Sequence, residues 1–299
     1  VTGVRTVPWK PYQASAAAAS RQGSPCGPQD DRRDNIAALP IAHSPENRID
    51  IAEALRAGWL ELWYQPKIGS RTLDLRGAEA LIRMRHPRWG IVQPAQFMPT
   101  ACDYHSRELS QFVVDRALAD WCYFVSELRR LDLSINLPIS FLEDPASIDY
   151  LRRQLPDHPA FDGLIVEVDG GDITRDLAVA RKFANDARLQ KIAISVDRLG
   201  DDWATLTQLR DFPFVEIKVD RELVSGCADD RAKRRLCQHI VEVANRFGAR
   251  TVAVGVETEA DFLTARELGF DLIQGFLFAK PMGVRSLVHT TASNLAKAV

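Results

Sequence analysis

The chain has 299 residues, a formal charge of -2, 46% hydrophobic residues and 26% charged ones, the proportions of an ordinary globular protein with material for a large core. That near-neutral charge excludes the electrostatic footprint of a protein that binds a nucleic-acid polymer. No apolar run is long enough to span a bilayer, and Ala16 to Ala19 is too short for a signal-peptide core.

Five cysteines, Cys26, Cys102, Cys122, Cys227 and Cys237, are odd in number and widely spaced, with no paired metal-ligand spacing. They read as reduced thiols in a cytoplasmic setting. The basic run Arg231, Lys233, Arg234 and Arg235 follows Asp229 and Asp230 on a predicted helix and reads as a solvated face.

Residues 1–42 are rich in Ala, Ser, Gly, Pro and charge without sustained periodicity, and are expected to form a flexible leader or linker; residues 43–299 form the folded unit. A membrane or sensory domain could precede that leader. Ser44-Pro45-Glu46 predicts a helix start and Gly58 its stop.

From Leu60 onward, eight β-rich runs (60–65, 76–84, 132–137, 163–168, 191–197, 214–219, 250–256 and 272–278) alternate with helical stretches. Leu164-Ile165-Val166 and Thr251-Val252-Ala253-Val254 are continuously apolar, as strands covered on both faces are. Ala232, Leu236, Ile240, Val243 and Phe247 make one helical stripe, ended by Gly248; Leu109, Val113, Ala117, Trp121, Val125 and Leu128 make another. Eight alternations predict an α/β protein, a (β/α)8 TIM-like barrel rather than an open doubly wound sheet. No glycine-rich phosphate loop or dinucleotide fingerprint is present.

Glu79 and Arg83 lie in the otherwise apolar run Gly77–Arg83, at an even spacing that sends both side chains to the same face of a strand. Isolated charges in such a run must be paired, bound to a metal or aimed at a ligand. Barrel enzymes place their chemistry at the C-terminal ends of strands, and here polar residues close almost every run: Asn136, Glu167, Asp197, Lys218 with Asp220, Glu257 and Gln274. Singly, each could be a strand cap or turn residue. Together, three carboxylates and an amide oxygen at one mouth are hard ligands suited to Mg2+ or Mn2+, with a lysine able to hold a water or a phosphate.

Tyr64-Gln65-Pro66, Glu79-Ala80-Leu81 with Arg83, Arg85-His86-Pro87, Asn136-Leu137, Lys218-Val219-Asp220-Arg221, Gly255-Val256-Glu257-Thr258 and Gln274-Gly275 with Lys280-Pro281 stand in the order and rough spacing of the EAL domains. The chain resembles that family over about residues 45–285. The resemblance implies a barrel that binds the bacterial second messenger cyclic di-GMP, which active members hydrolyse to linear pGpG with two divalent ions. It implies Glu79, Asn136, Glu167 and Asp197 as ligands of one ion and Lys218 and Glu257 at the catalytic places. Gln65, Arg83, Asp220, Gln274 and Pro281 are its nucleotide-facing residues, the last lining a guanine pocket.

The chain departs from the pattern around the second ion. The family's paired aspartates read Asp197-Arg198, the glutamate expected three residues before Glu257 is Val254, and the one expected three residues after Glu167 is Gly170. The following loop reads Leu199-Gly200-Asp201-Asp202-Trp203-Ala204-Thr205, where the family carries a glycine-rich segment that helps form the metal site and couples it to dimerisation. Losing the carboxylates at Arg198 and Val254 and gaining a guanidinium changes the local formal charge by about +3, which argues against a second cation. Arg198 either takes the vacant ion's place and pairs with a ligand phosphate, or turns to solvent or to Asp201 or Asp202.

The expectation is therefore a degenerate EAL domain that binds cyclic di-GMP with at most one Mg2+ or Mn2+ ion and signals to a protein partner, with hydrolysis lost or strongly reduced. A metal-dependent phosphodiesterase giving pGpG and a nucleotide-free interaction scaffold are the alternatives, and dimerisation is left open by the altered loop.

Overall fold

The computed structural model describes residues 50–98, 105–128, 131–175, 177, 178, 181, 191–199 and 212–293. The leader 1–42, the start at Ser44-Pro45-Glu46 and residues 200–205 of the altered loop lie outside the described residues.

Helix α1 (Ile51–Ala57) is capped by Asp50, whose carboxylate accepts the Ala52 amide, and ends at Gly58 in the left-handed conformation. Strand β1 (Leu60–Gly69) then pairs antiparallel with β2 (Leu75–His86), register Gln65 to Glu79 and Lys67 to Gly77. The two first runs thus form a hairpin, without the helix that strict alternation predicts, because Gly69-Ser70-Arg71-Thr72 turns the chain within too few residues for a crossover. A short strand β3 (Gly90–Val92), absent from the eight expected, pairs antiparallel with the far end of β2.

The rest follows the expected rhythm. Helix α2 (His105–Leu128) leads to β4 (Asp132–Asn136), α3 (Ile139–Glu143) and α4 (Pro145–Gln154) to β5 (Leu164–Asp169), and α5 (Gly170–Arg175) follows before β6 (Ile192–Leu199). Strand β7 (Glu216–Val219) precedes α6 (Arg221–Val224) and α7 (Arg231–Phe247); β8 (Arg250–Val254), α8 (Glu259–Leu268), β9 (Leu272–Gln274) and α9 (Val284–Ser293) complete the fold. Gly248 ends α7 in the left-handed conformation, as its apolar stripe predicts.

The sheet runs β1-β9-β8-β7-β6-β5-β4-β2-β3, and the β1–β2 pairing closes it into an eight-stranded barrel with β3 outside. β2 and β4 to β9 are mutually parallel, whereas β1 is antiparallel to both neighbours. Leu164, Val166, Ile192, Ile194, Val196, Ile217, Val219 and Ala253 join the core between sheet and helices. The alternate positions, Glu167, Ser195, Asp197, Glu216 and Lys218 among them, face the barrel axis.

Strands β8 and β9 stop earlier than their apolar runs. Gly255 takes φ +76°, and a Cβ at Gly275 would stand 2.0 Å from the Val256 carbonyl oxygen. The amides of Gly255 and Val256 both donate to the Gln274 carbonyl, which locks these two strand ends together at the mouth. Among the described residues no helix is long and apolar enough to cross a membrane.

Candidate functional site

Carboxylates from three strands, β2, β5 and β6, converge on the Lys218 ammonium of β7. It lies 2.9 Å from Glu79 Oε2 and 3.4 Å from Asp197 Oδ1, and donates to Glu167 Oε2. Lys218, Glu79 and Glu167 are buried and Asp197 is half-buried. Above them Asn136 Nδ2 donates to Glu79 Oε1 at 2.8 Å and Gln274 Nε2 donates to Glu79 Oε2 at 2.6 Å and to Gln65 Oε1 at 3.2 Å. Glu79, Asn136, Glu167, Asp197, Lys218, Gln65 and Gln274 are thereby brought into one network.

Its electrostatics follow from its geometry. Burial would lower the Lys218 pKa, but Glu167, Glu79 and Asp197 drive it well above the ordinary lysine value. Burial raises Glu79, yet the Lys218 ammonium holds it below the usual carboxylate range. Glu167 goes the other way, because its burial and the adjacent Glu79 carboxylate outweigh Lys218 and Lys67.

Beneath this layer lies a second set of charges that strand-end reasoning misses. Lys67 Nζ lies 2.8 Å from Glu167 Oε1 and 2.6 Å from Glu216 Oε1, both partners being fully buried. Glu216 also accepts from Ser195 Oγ at 3.0 Å and Arg250 Nε at 2.7 Å, and Arg250 Nη1 donates to Asp132 Oδ2 at 2.5 Å. The period-two pattern carried the signal: Glu216 and Lys218, Gln65 and Lys67, and Asp132, Ser134 and Asn136 share faces at spacings of two.

The other expected site residues lie on the rim. Arg83 is buried against the Trp63 ring, 6.0 Å from its centroid, and Nη1 donates to the Ile82 carbonyl at 2.8 Å. Its Nε is buried without a hydrogen-bond partner, as is Gln274 Oε1. Gln65 Nε2 reaches the Ala279 carbonyl at 3.4 Å, and the backbone pairing of Tyr64 with Met282 sets Pro281 beside that contact.

Glu257 stands apart from the Lys218 cluster, in an ion pair with Arg221 at 3.0 Å. Asp220 caps α6 by accepting the Glu222 amide. Arg198, in the left-handed conformation at φ +54° and largely exposed, pairs with Asp169 Oδ2 at 3.5 Å. Asp201 and Asp202, the loop acids expected as its partners, lie outside the described residues. The register of β5 with β6 sets Asp169 beside Asp197, so the adjoining strand end supplies the carboxylate.

The family described as "EAL domain" matches residues 48–281. The chain belongs to the EAL domain family. It is 32% identical over 223 residues to a cyclic di-GMP phosphodiesterase of Pseudomonas aeruginosa, a match covering 74% of this chain and 38% of the relative. To the bifunctional diguanylate cyclase/cyclic di-GMP phosphodiesterase MucR of the same organism it is 30% identical over 258 residues, covering 81% and 36%. The chain therefore spans less than half the length of these relatives. The solved MucR phosphodiesterase in complex with c-di-GMP matches with a TM-score of 0.73 at 28% identity, over 80% of this chain and 98% of that one. The FimX EAL domain of Xanthomonas citri, solved with c-diGMP, shares the fold at a TM-score of 0.69 and 21% identity, over 78% and 92%.

In this EAL domain, among the described residues, no three or more His, Cys, Asp or Glu side chains stand in a ready metal-holding arrangement. The carboxylates close on Lys218 instead. The donor chemistry, carboxylates with an amide, is nonetheless that of a hard cation's ligands. Glu79, Glu167 and Asp197 against Lys218 leave a formal charge of -2 (three carboxylates, one ammonium), while Lys67 is offset by Glu216 and Arg250 by Asp132.

Proposed function

We propose that this EAL domain is a cyclic di-GMP receptor whose hydrolytic activity is lost or strongly reduced, working in the cytoplasm and passing the signal to a protein partner. The observation that carries this reading is the pair of buried atoms without hydrogen-bond partners at the mouth: Arg83 Nε, a donor, and Gln274 Oε1, an acceptor. Leaving such atoms unpaired costs about 1–3 kcal/mol each. A ligand offering both an anionic oxygen and an N–H group satisfies both, and a guanine nucleotide has the two. Gln65, Arg83, Gln274 and Pro281 are its contact residues in this reading, with Asp220 on the adjoining rim.

One Mg2+ or Mn2+ ion would be held by Glu79, Asn136, Glu167 and Asp197. Such an ion supplies charge stabilisation at a phosphoryl oxygen. Lys218 holds the three carboxylates in register by its ion pairs. The second ion's place has Arg198 and Val254 where carboxylates are needed. A guanidinium there pairs with phosphate oxygens, which holds the dinucleotide without activating a water. Glu257, tied to Arg221, is a rim residue that would reach the catalytic place only by leaving that pair.

Calorimetric titration of the purified protein with cyclic di-GMP and Mg2+, with chromatography of the products, tests the reading. Saturable binding without pGpG is the expected result. Steady pGpG formation means a phosphodiesterase, and no binding at high micromolar ligand means a scaffold.

A further inference from the structure

The charges inside the barrel form a continuous ladder. Asp132 and Arg250 open β4 and β8 at the end of the barrel opposite the mouth, and Glu216 opens β7 between them and Lys67. From there the contacts run Asp132 to Arg250, Arg250 to Glu216, Glu216 to Lys67, Lys67 to Glu167 and Glu167 to Lys218, with none of these links longer than 2.8 Å. Lys67 is 1% exposed and Glu216 and Glu167 are no more so. A buried ladder of this kind is a costly way to fill a barrel, since apolar layers would serve stability as well or better.

Its geometry has a directional consequence. Lys67 takes Glu167 Oε1 from below and Lys218 takes Oε2 from above, so Glu167 has no freedom to rotate its carboxylate. Lys67 is itself fixed by Glu216 Oε1, which Ser195 Oγ also holds, while Arg250 holds the other oxygen. Aliphatic layers could fill the same volume but could not aim a carboxylate.

We infer that Lys67, anchored by Glu216, is a positioning residue that presents Glu167 Oε2 to the barrel mouth for a divalent cation. The inference rests on the reading of Glu167 as a cation ligand. Lys67 touches neither nucleotide nor cation; it acts through Glu167. It makes affinity for the cation depend on a pair of residues below the mouth, where the sequence motifs of the site do not reach.

The test is Lys67→Met combined with Glu216→Gln, which removes one positive and one negative charge together and keeps volume. Arg250 retains Asp132, and the net field at the mouth stays nearly constant, so a change in affinity reports position. The expected result is a cooperative melt with at least a tenfold loss of Mn2+ affinity by calorimetry. Affinity within twofold of the unaltered chain overturns the inference while leaving the one-cation reading intact. Failure of the unaltered chain itself to take up Mn2+ overturns both.

A measurement on the unaltered chain covers the case of a variant that does not fold. Among the described residues Lys67 and Lys218 are the buried lysines, so 15N-lysine labelling is expected to give two slowly exchanging ammonium signals. Both are expected to shift on saturation with Mg2+, and a shift of one alone overturns the inference.

Discussion

Arg198 at the end of β6 and Asp169 at the end of β5 are joined across neighbouring strands by an ion pair of 3.5 Å. Both groups are well exposed, so the pair contributes little to stability, and a phosphate oxygen competes with Asp169 for the same guanidinium. Opposite effects are expected on cyclic di-GMP affinity: Arg198→Ala weakens it about threefold to tenfold, and Asp169→Asn strengthens it about twofold to threefold. Equal effects of one sign in calorimetry would remove Arg198 from the binding surface.

The second ion's place is amenable to reconstruction. Val254 ends β8 with Gln274 as its register partner, two residues beyond buried Val252, so it faces the mouth. Arg198→Asp with Val254→Glu restores two carboxylates there. Mn2+-dependent pGpG formation is expected to rise by about two orders of magnitude or more over the unaltered chain, since a second ion adds both charge stabilisation and water activation. Glu79→Ala on that background is expected to abolish the gain, and activity indifferent to it would belong to a contaminant.

Much of this was legible in the sequence because β-strands have a period of two and helices one of 3.6. The strand ends Glu79, Asn136, Glu167, Asp197, Lys218 and Gln274 stood out as polar residues closing apolar runs, and the structure brings all six together. Lys67 and Glu216 were hidden for the opposite reason. They sit inside runs, two residues from a better-known neighbour, and a lone charge shows no partner until the barrel closes residues 100 and 149 positions apart onto one another. The β1–β2 hairpin escaped strict alternation because a turn of a few residues looks, in outline, like any other break between strands. Asp169 carries no signal of its own in the sequence, because an acid closing an apolar run reads as a strand cap until the β5–β6 register sets it beside the end of β6.

Arg83 offers the most direct test of nucleotide recognition. Burial lowers its pKa and the charge of Glu79 partly offsets this, and Nε has no hydrogen-bond partner, so an anionic ligand oxygen has much to gain there. Arg83→Ala is expected to weaken cyclic di-GMP binding at least tenfold. Unchanged affinity in the same titration would sink the assignment of this rim as the nucleotide site.

Gly275 tests how the mouth is held. Any Cβ there would stand 2.0 Å from the Val256 carbonyl oxygen and 2.5 Å from its nitrogen, and both are backbone atoms that cannot swing aside. Gly275→Ala is expected to cost at least about 2 kcal/mol in chemical denaturation. It should also displace Gln274, whose carbonyl accepts the Gly255 and Val256 amides. A variant as stable as the unaltered chain would mean that the two strand ends can separate freely.

The acid limb of stability reports on the lower ladder. Burial would raise Glu216, but Lys67 and Arg250 hold its pKa down to about 2, against an ordinary value of 4.5. A carboxylate depressed on folding contributes stability that is present above the unfolded value and is lost as pH falls from about 4.5 through about 2. Glu167, raised on folding, has the opposite sign and offsets part of that loss. Glu216→Gln is expected to cost about 3 kcal/mol or more at pH 7, by leaving Lys67 and Arg250 short of charge, and to flatten the decline of the melting temperature between pH 4.5 and pH 2. If the variant loses stability with acid as steeply as the unaltered chain, the acid sensitivity lies in other carboxylates, and the Lys67–Glu216–Arg250 cluster is not what holds the lower barrel together.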